Sequence, residues 1–217
     1  MVRVVCVIIG YLLGMIQTAY ILGRIKGIDI REHGSGNAGT TNTLRVLGAK
    51  AGIIVFAGDL IKCIVAVLIV KYTIAVRFPE IMPLLLLYTG AGCVIGHNFP
   101  FYLKFRGGKG IACTGGLMIA FHWSFIPVGL LVFFGTFFLT HYVSLGSLLL
   151  YTGFFVQLII TGQMGIYNVS QSVLNEMYIL VFLLTVLAFY KHRSNIKRLL
   201  THSERKTYLS GKKNSAE

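Results

Sequence analysis

Residues with chemical capacity fall into four short stretches of this sequence. The first reads His33-Gly34-Ser35-Gly36-Asn37-Ala38-Gly39-Thr40-Thr41-Asn42-Thr43-Leu44-Arg45. Its three glycines free the backbone to turn N–H groups toward an anion. Ser35, Thr40, Thr41 and Asn42 add side-chain donors, and Arg45 adds a planar fork suited to phosphate. From Thr40 onward the composition can start a helix, which would set an anion near its N-terminus. The second stretch is Gly96-His97-Asn98-Phe99-Pro100 followed by Phe105-Arg106-Gly107-Gly108-Lys109-Gly110. It fails the Walker A test, because Gly110 stands where Ser or Thr is required, and this argues against a nucleotide triphosphatase. Flexible backbone donors beside Arg106 and Lys109 remain. The third stretch, His141-Tyr142-Val143-Ser144-Leu145-Gly146-Ser147, offers hydroxyls in apolar surroundings. In the fourth, Lys191 to Leu200, a helix would put His192 and Asn195 at i, i+3 on one face, able to hold one substrate jointly. Arg193 and Lys197 would then face headgroups or solvent.

The elements that must position these residues are membrane helices. The hydrophobic fraction is 55%, charged residues are 12%, and the mean hydropathy is +0.75. Such a chain needs lipid as its solvent. Candidate spans lie at about Val2–Gly23, Gly52–Val76, Met82–Gly96, Gly110–His122, Phe125–Thr140, Leu145–Thr161 and Leu174–Tyr190. The fourth is short and forms a hairpin with the fifth, broken near Trp123 to Pro127; five spans with re-entrant pieces is the alternative. The fold class is all-α: a polytopic integral membrane protein of about seven transmembrane helices. Asp59 and Lys62 stand inside the second span at i, i+3 and can pair directly, a structural tether to the loops rather than a catalytic acid.

Orientation follows from the basic residues. If the loop after the first helix is cytoplasmic, sixteen of the twenty Lys and Arg share that side; the four elsewhere are Arg3, Lys62, Lys71 and Arg77. The N-terminus is then outside and the C-terminus cytoplasmic, with every unusual polar stretch on the cytoplasmic face. The net charge of +13 is thus read as orientation and attraction to anionic lipid; no nucleic-acid motif is present. Cys6, Cys63, Cys93 and Cys113 lie in apolar contexts without a CxxC pair, and no histidine spacing or acidic cluster points to a metal.

Taken together, Ser35–Asn42 with Arg45 and Lys50, Gly96–Gly110, Tyr142–Ser147 and His192–Leu199 resemble, in order, the bacterial acyl-phosphate:glycerol-3-phosphate acyltransferases of the PlsY family. The resemblance implies a single transmembrane acyltransferase domain over residues 1–198 and a basic cytoplasmic tail over 199–217. It implies multi-pass residence in the bacterial plasma membrane and no cofactor. The implied substrates are glycerol 3-phosphate and acyl phosphate; the implied partners are the lipid bilayer and the enzyme supplying acyl phosphate. Ser35, Arg45, His192 and Asn195 take the catalytic positions. Gly36, Asn37, Gly39, Thr41, Asn42, His97, Lys104, Gly107, Gly108, Lys109, Gly110 and Ser144 take the substrate-binding ones, with Lys104 and Lys109 as alternatives and Ser144 favoured over Ser147. Glu204 takes the place of a structural acid. This sequence departs from the family at His202 and Cys63, where glycine is usual.

The chemistry agrees with that resemblance. There is no GxSxG elbow, and no histidine is followed five positions later by Asp: those positions hold Ala38, Tyr102, Pro127, Gly146, Lys197 and Thr207. Acyl phosphate is an activated anhydride, so direct attack by the acceptor hydroxyl is expected, with the proton passing to substrate phosphate or to His192. The rivals are a transporter of a phosphorylated solute and an enzyme using a thioester donor. The first would want polar groups through the midplane.

Overall fold

The computed structural model describes residues 1–208. Lys212, Lys213 and the end of the basic tail lie outside the described residues. Ten α-helices and no strand occur among the described residues: α1 (Val2–Gly14), α2 (Thr18–Ile25), α3 (Thr40–Leu47), α4 (Ala49–Thr73), α5 (Met82–Asn98), α6 (Ile111–Phe121), α7 (Phe125–Thr140), α8 (Val143–Gln163), α9 (Gln171–Lys191) and α10 (Arg193–Leu200). Five stretches are long and apolar enough to cross a bilayer: Val2–Ile25, Ala49–Arg77, Pro79–Leu103, Val143–Gln163 and Gln171–Lys191. The expected fourth and fifth spans appear as the shorter α6 and α7. At about 1.5 Å per residue, α6 reaches roughly 17 Å, against an apolar bilayer core of about 30 Å. They meet at the expected turn, where His122 Nδ1 lies 2.9 Å from Ser124 Oγ.

The first span is not the continuous helix that its hydropathy predicts. It breaks at Met15–Gln17, and the break has polar consequences. Gln17 Nε2 donates to the His97 carbonyl at 2.9 Å, and the Ile16 carbonyl accepts from Lys62 Nζ at 2.6 Å. A helix interrupted in lipid must satisfy its freed backbone groups internally, and here Lys62 of α4 takes the Ile16 carbonyl and the Tyr102 hydroxyl takes the Met15 carbonyl.

α1 and α5 approach so closely that their glycines touch opposing main chain. A Cβ on Gly10 would strike the Thr89 carbonyl, and one on Gly14 the Cys93 carbonyl. On the facing helix, Gly92 lies against Val7 and Gly96 against Tyr11 in the same way. Two glycine pairs spaced by four therefore interlock, a packing mode that lipid favours because apolar burial alone does not hold helices together there. Outward faces are apolar: Leu130, Leu131, Phe138 and Leu139 on α7, and Ile179, Phe182, Leu183 and Val186 on α9. At the end away from the polar loops, Arg3 clamps Glu176 with contacts of 2.6 and 2.8 Å, and Tyr88 donates to the same carboxylate at 2.7 Å.

The double variant Gly10→Ala/Gly92→Ala is expected to push α1 off α5 and cost about 1–3 kcal/mol per site. Thermal unfolding in detergent should show a lowered midpoint, while Gly135→Ala, with open space around its position, should leave it unchanged.

Candidate functional site

The glycine-rich, hydroxyl and basic stretches converge on one cavity of about 650 Å³. Four helices open onto it by their N-termini. Gly39–Asn42 of α3, Gly110–Ala112 of α6, Val143 and Ser144 of α8, and His192–Asn195 of α10 all line it. The first N–H groups of a helix have no intrahelical acceptor. In α3, those of Thr40, Thr41 and Asn42 make no hydrogen bond among the described residues. Four positive dipole ends thus face one space.

Side-chain charge adds to that field. Arg45, Lys109, Lys191, Arg193, Arg198 and Arg205 line the cavity, against only Asp59 and Glu204. Both carboxylates are engaged: Asp59 with Lys62 at 2.8 Å and Glu204 with Arg198 at 2.6 Å. Among the described residues, no carboxylate pairs with Arg45, Lys109, Lys191, Arg193 or Arg205. An excess of cations with unmatched backbone donors is the chemistry that suits an anion.

Glu204 organises one wall. It accepts from Ser144 Oγ at 2.9 Å and Asn195 Nδ2 at 2.7 Å on one oxygen, and from Arg198 Nε on the other. Burial alone would raise its pKa; these three donors outweigh burial and hold it below the ordinary value. Asn195 is thereby fixed, its amide nitrogen on Glu204 and its oxygen accepting from Lys109 Nζ. Burial pushes the Lys109 ammonium down to about 8. His192 sits where α9 turns into α10, with Nδ1 2.7 Å from the Ala188 carbonyl. That carbonyl can only accept, so the proton resides on Nδ1, and Nε2 makes no hydrogen bond among the described residues. Burial, then the charge of Lys109, pushes its pKa down to about 4, so the ring is neutral at physiological pH. A main-chain carbonyl thus orients the imidazole where no carboxylate does.

Beneath the cavity lies a buried polar node. Asp59 Oδ1 accepts from Lys62 Nζ at 2.8 Å and from Thr18 Oγ1 at 3.1 Å. The ammonium also lies 3.0 Å from His97 Nδ1. His97 supports the second glycine loop: its carbonyl accepts from Gly108 N at 3.1 Å, and that of Asn98 accepts from Gly107 N at 3.3 Å. A Cβ on Gly107 would strike the His97 carbonyl, and one on Gly108 the His97 ring.

The sequence-derived residues therefore separate into groups. Ser35, Gly36, Asn37, Gly39, Thr41, Asn42, Arg45, His97, Lys109, Gly110, Ser144, His192 and Asn195 all reach the cavity. Gly107 and Gly108 do not line it; their glycine identity answers to packing on His97. Lys104 is also outside, on an exposed turn with φ of 55°. Of the two alternatives, Lys109 lines the cavity and Lys104 does not. Asn42 has its amide engaged in holding the first loop: Oδ1 accepts from Ser35 N at 2.8 Å and Ser35 Oγ at 3.1 Å, and Nδ2 donates to the Ile30 and His33 carbonyls. Ser147, like Ser144, lines the cavity, but its hydroxyl donates to the Val143 carbonyl. Sequence reading missed Lys191, Arg198, Arg205 and Thr207 as lining residues; Arg193, read as facing headgroups or solvent, is exposed and also borders the cavity. Sequence reading also missed the apolar wall of Phe133, Phe134 and Phe137 facing Ile53 and Phe56.

Comparison with known proteins agrees with the geometry. The family profile described as Glycerol-3-phosphate acyltransferase matches residues 4–202. A glycerol-3-phosphate acyltransferase of Bacillus subtilis (strain 168) is 40% identical, over 92% of this chain and 95% of that protein. One from Clostridioides difficile (strain 630) is 43% identical, over 94% of each. Among solved structures, the integral membrane glycerol 3-phosphate acyltransferase PlsY (YgiH) in its glycerol 3-phosphate form superposes with a TM-score of 0.81 at 33% identity, covering 95% of this chain and 96% of that one. Its lysophosphatidic acid form gives 0.79 at 32% identity, with the same coverage. A multi-pass helical membrane chain that matches the profile over nearly its whole length belongs to the glycerol-3-phosphate acyltransferase family, in the PlsY group.

Proposed function

We propose that this cavity transfers a fatty acyl group from acyl phosphate to the sn-1 hydroxyl of glycerol 3-phosphate. Lysophosphatidic acid and inorganic phosphate are the products. The observation that carries the reading is the excess of unpaired cations and helix N-termini directly beside an aromatic wall. Two phosphates need the first, and an acyl chain needs the second. The acceptor oxygen attacks the acyl carbonyl carbon, the bond from that carbon to the phosphate oxygen breaks, and phosphate leaves with the electron pair. The hydroxyl proton passes to an oxygen of the departing phosphate. His192 Nε2 accepts a hydrogen bond from the attacking hydroxyl and aligns it; a ring whose pKa lies near 4 is too weakly basic to carry the proton at neutral pH. Lys109, Arg45, Ser35 and the N-terminus of α3 hold phosphate oxygens, and Ser144 and Asn195 are set by Glu204. The cavity end carries the basic loops, so it faces the cytoplasm at the bacterial plasma membrane. Transport has less support: polar groups gather at one end, and Arg3, Glu176 and Tyr88 tie helices together at the other.

Purified protein is expected to release phosphate from acyl phosphate in the presence of glycerol 3-phosphate and to leave acyl-CoA unused; turnover with acyl-CoA alone would sink the donor assignment. In that assay Arg45→Ala should cost about 1.5–3 kcal/mol, or roughly 10- to 150-fold in kcat/KM. Ser35→Ala should lower it less, with both variants folded.

For His192→Gln, an acceptor oxygen remains, so KM for glycerol 3-phosphate is expected to rise about tenfold while kcat falls by less than that. A loss of roughly a thousandfold in kcat would instead make His192 the general base.

Lys109 sets a pH dependence whose sign follows from its lowered pKa. Below about 8 the ammonium is charged, and above it an anion binds only with uptake of a proton. KM for glycerol 3-phosphate should therefore climb above pH 8 by up to about tenfold per pH unit. Lys109→Arg should flatten that climb; an unchanged slope would dissociate Lys109 from the phosphate.

A further inference from the structure

The basic C-terminal segment contains a residue that orientation in the membrane does not explain. Residues 204–207 run along the cavity wall and are fastened at both ends. Glu204 is held by Ser144, Asn195 and Arg198. Thr207 is 2% exposed, its N–H donates to the His141 carbonyl at 2.9 Å, and the next ring, Tyr208, lies 4.8 Å from that of His141. Between these ties sits Arg205. Its carbonyl accepts from Arg45 Nη2 at 3.4 Å, and the same nitrogen donates to Thr207 Oγ1 at 2.8 Å. Arg205 is an exposed residue among those that line the cavity, and its side chain makes no hydrogen bond or ion pair among the described residues. Arg45 also lacks a carboxylate partner among the described residues, and its pKa is lowered first by burial and then by the charge of Arg205. Glu204, one residue away, is engaged elsewhere.

Two guanidinia on one cavity wall repel each other, Glu204 offsets less of that repulsion than Arg205 adds, and a multiply charged oxyanion between them would relieve it with bidentate contacts. We propose that Arg205 and Arg45 form one seat for a phosphate dianion, with the segment 204–207 acting as a strap that presents Arg205 to it. This deepens the acyltransferase reading and rests on it for the identity of the ligand. The profile match ends at residue 202, so the strap lies beyond the matched region. The shared chemistry is a phosphate, carried either by glycerol 3-phosphate or by acyl phosphate.

The test uses the full chain in detergent with Arg205→Gln and Arg205→Lys. Because Arg45 contacts only the carbonyl of Arg205, the glutamine variant keeps that contact. Its unliganded unfolding midpoint is expected to stay level or rise, while the upward shifts produced by inorganic phosphate or glycerol 3-phosphate shrink. KM for one substrate should rise about tenfold with kcat nearly constant, and Arg205→Lys should recover most of it. A rise confined to glycerol 3-phosphate assigns the seat to the acceptor, and one confined to acyl phosphate assigns it to the donor. The proposal is overturned if both KM values and all ligand shifts are unchanged. It is equally overturned if the unliganded midpoint falls while the shifts stay intact, which marks a structural arginine. The inorganic phosphate arm needs no acyl donor, so an error in the donor assignment leaves it readable.

Discussion

Unmatched positive charge at one end of a lipid-embedded bundle is the constraint on which the other features depend. Arg45, Lys109, Lys191, Arg193 and Arg205 meet four helix N-termini across a single cavity, and among the described residues no carboxylate forms an ion pair with them. Such a concentration opposes folding unless anions bind, and it is tolerable because the cavity lies near water rather than at the bilayer centre. Glu204, a carboxylate on the cavity wall, is used differently. It fixes three donors in place and leaves the remaining cations open to ligand.

The buried node carries the opposite logic. Asp59 and Lys62 are 2% and 7% exposed, so their desolvation is costly and the pair alone is weak evidence of stability. Its value lies in what it arranges. The ammonium bridges the carbonyl of Ile16, the carboxylate of Asp59 and the ring of His97, tying the break in the first span to α4 and to the second glycine loop. Removing either charge would leave the other stranded in a low-dielectric interior and release the loop that carries Lys109. A structural ion pair thus acts on function through the position of His97.

Local sequence spacing made much of this legible. Helical periodicity and hydropathy gave the long spans, i, i+3 spacing gave both Asp59–Lys62 and His192–Asn195, and the order of the polar stretches gave the site. What escaped depends on contacts between segments far apart in the chain. His97 joins Lys62 across 35 positions. Gly107 and Gly108 look like phosphate-binding glycines, yet the His97 carbonyl beneath the first and the His97 ring beneath the second leave no room for a Cβ. The paired glycines of α1 and α5 acquire meaning only when the two helices face each other. His202 is an intermediate case: a position where glycine was the expected residue adopts φ of 54°, a left-handed conformation that histidine tolerates at some cost. The basic tail misled for a related reason, since charge counting assigns a side of the membrane but not a direction toward a cavity.

A bundle of this kind can bring a soluble acceptor to a membrane-dissolved donor without a covalent intermediate. The two substrates would carry phosphates that repel each other at short range, so positioning is the dominant demand and cationic walls answer it. The same walls would face a second requirement with an acyl phosphate donor, because phosphate would have to leave after each transfer. Cations clustered deep in apolar surroundings would hold the product too tightly. Here Arg193 and Arg205 are exposed, and Arg45 already has neutral partners in Thr207 and the Arg205 carbonyl to which it can return. Those neutral contacts offset part of what the departing anion supplied, so the strap that helps to complete the site also lowers the barrier to emptying it.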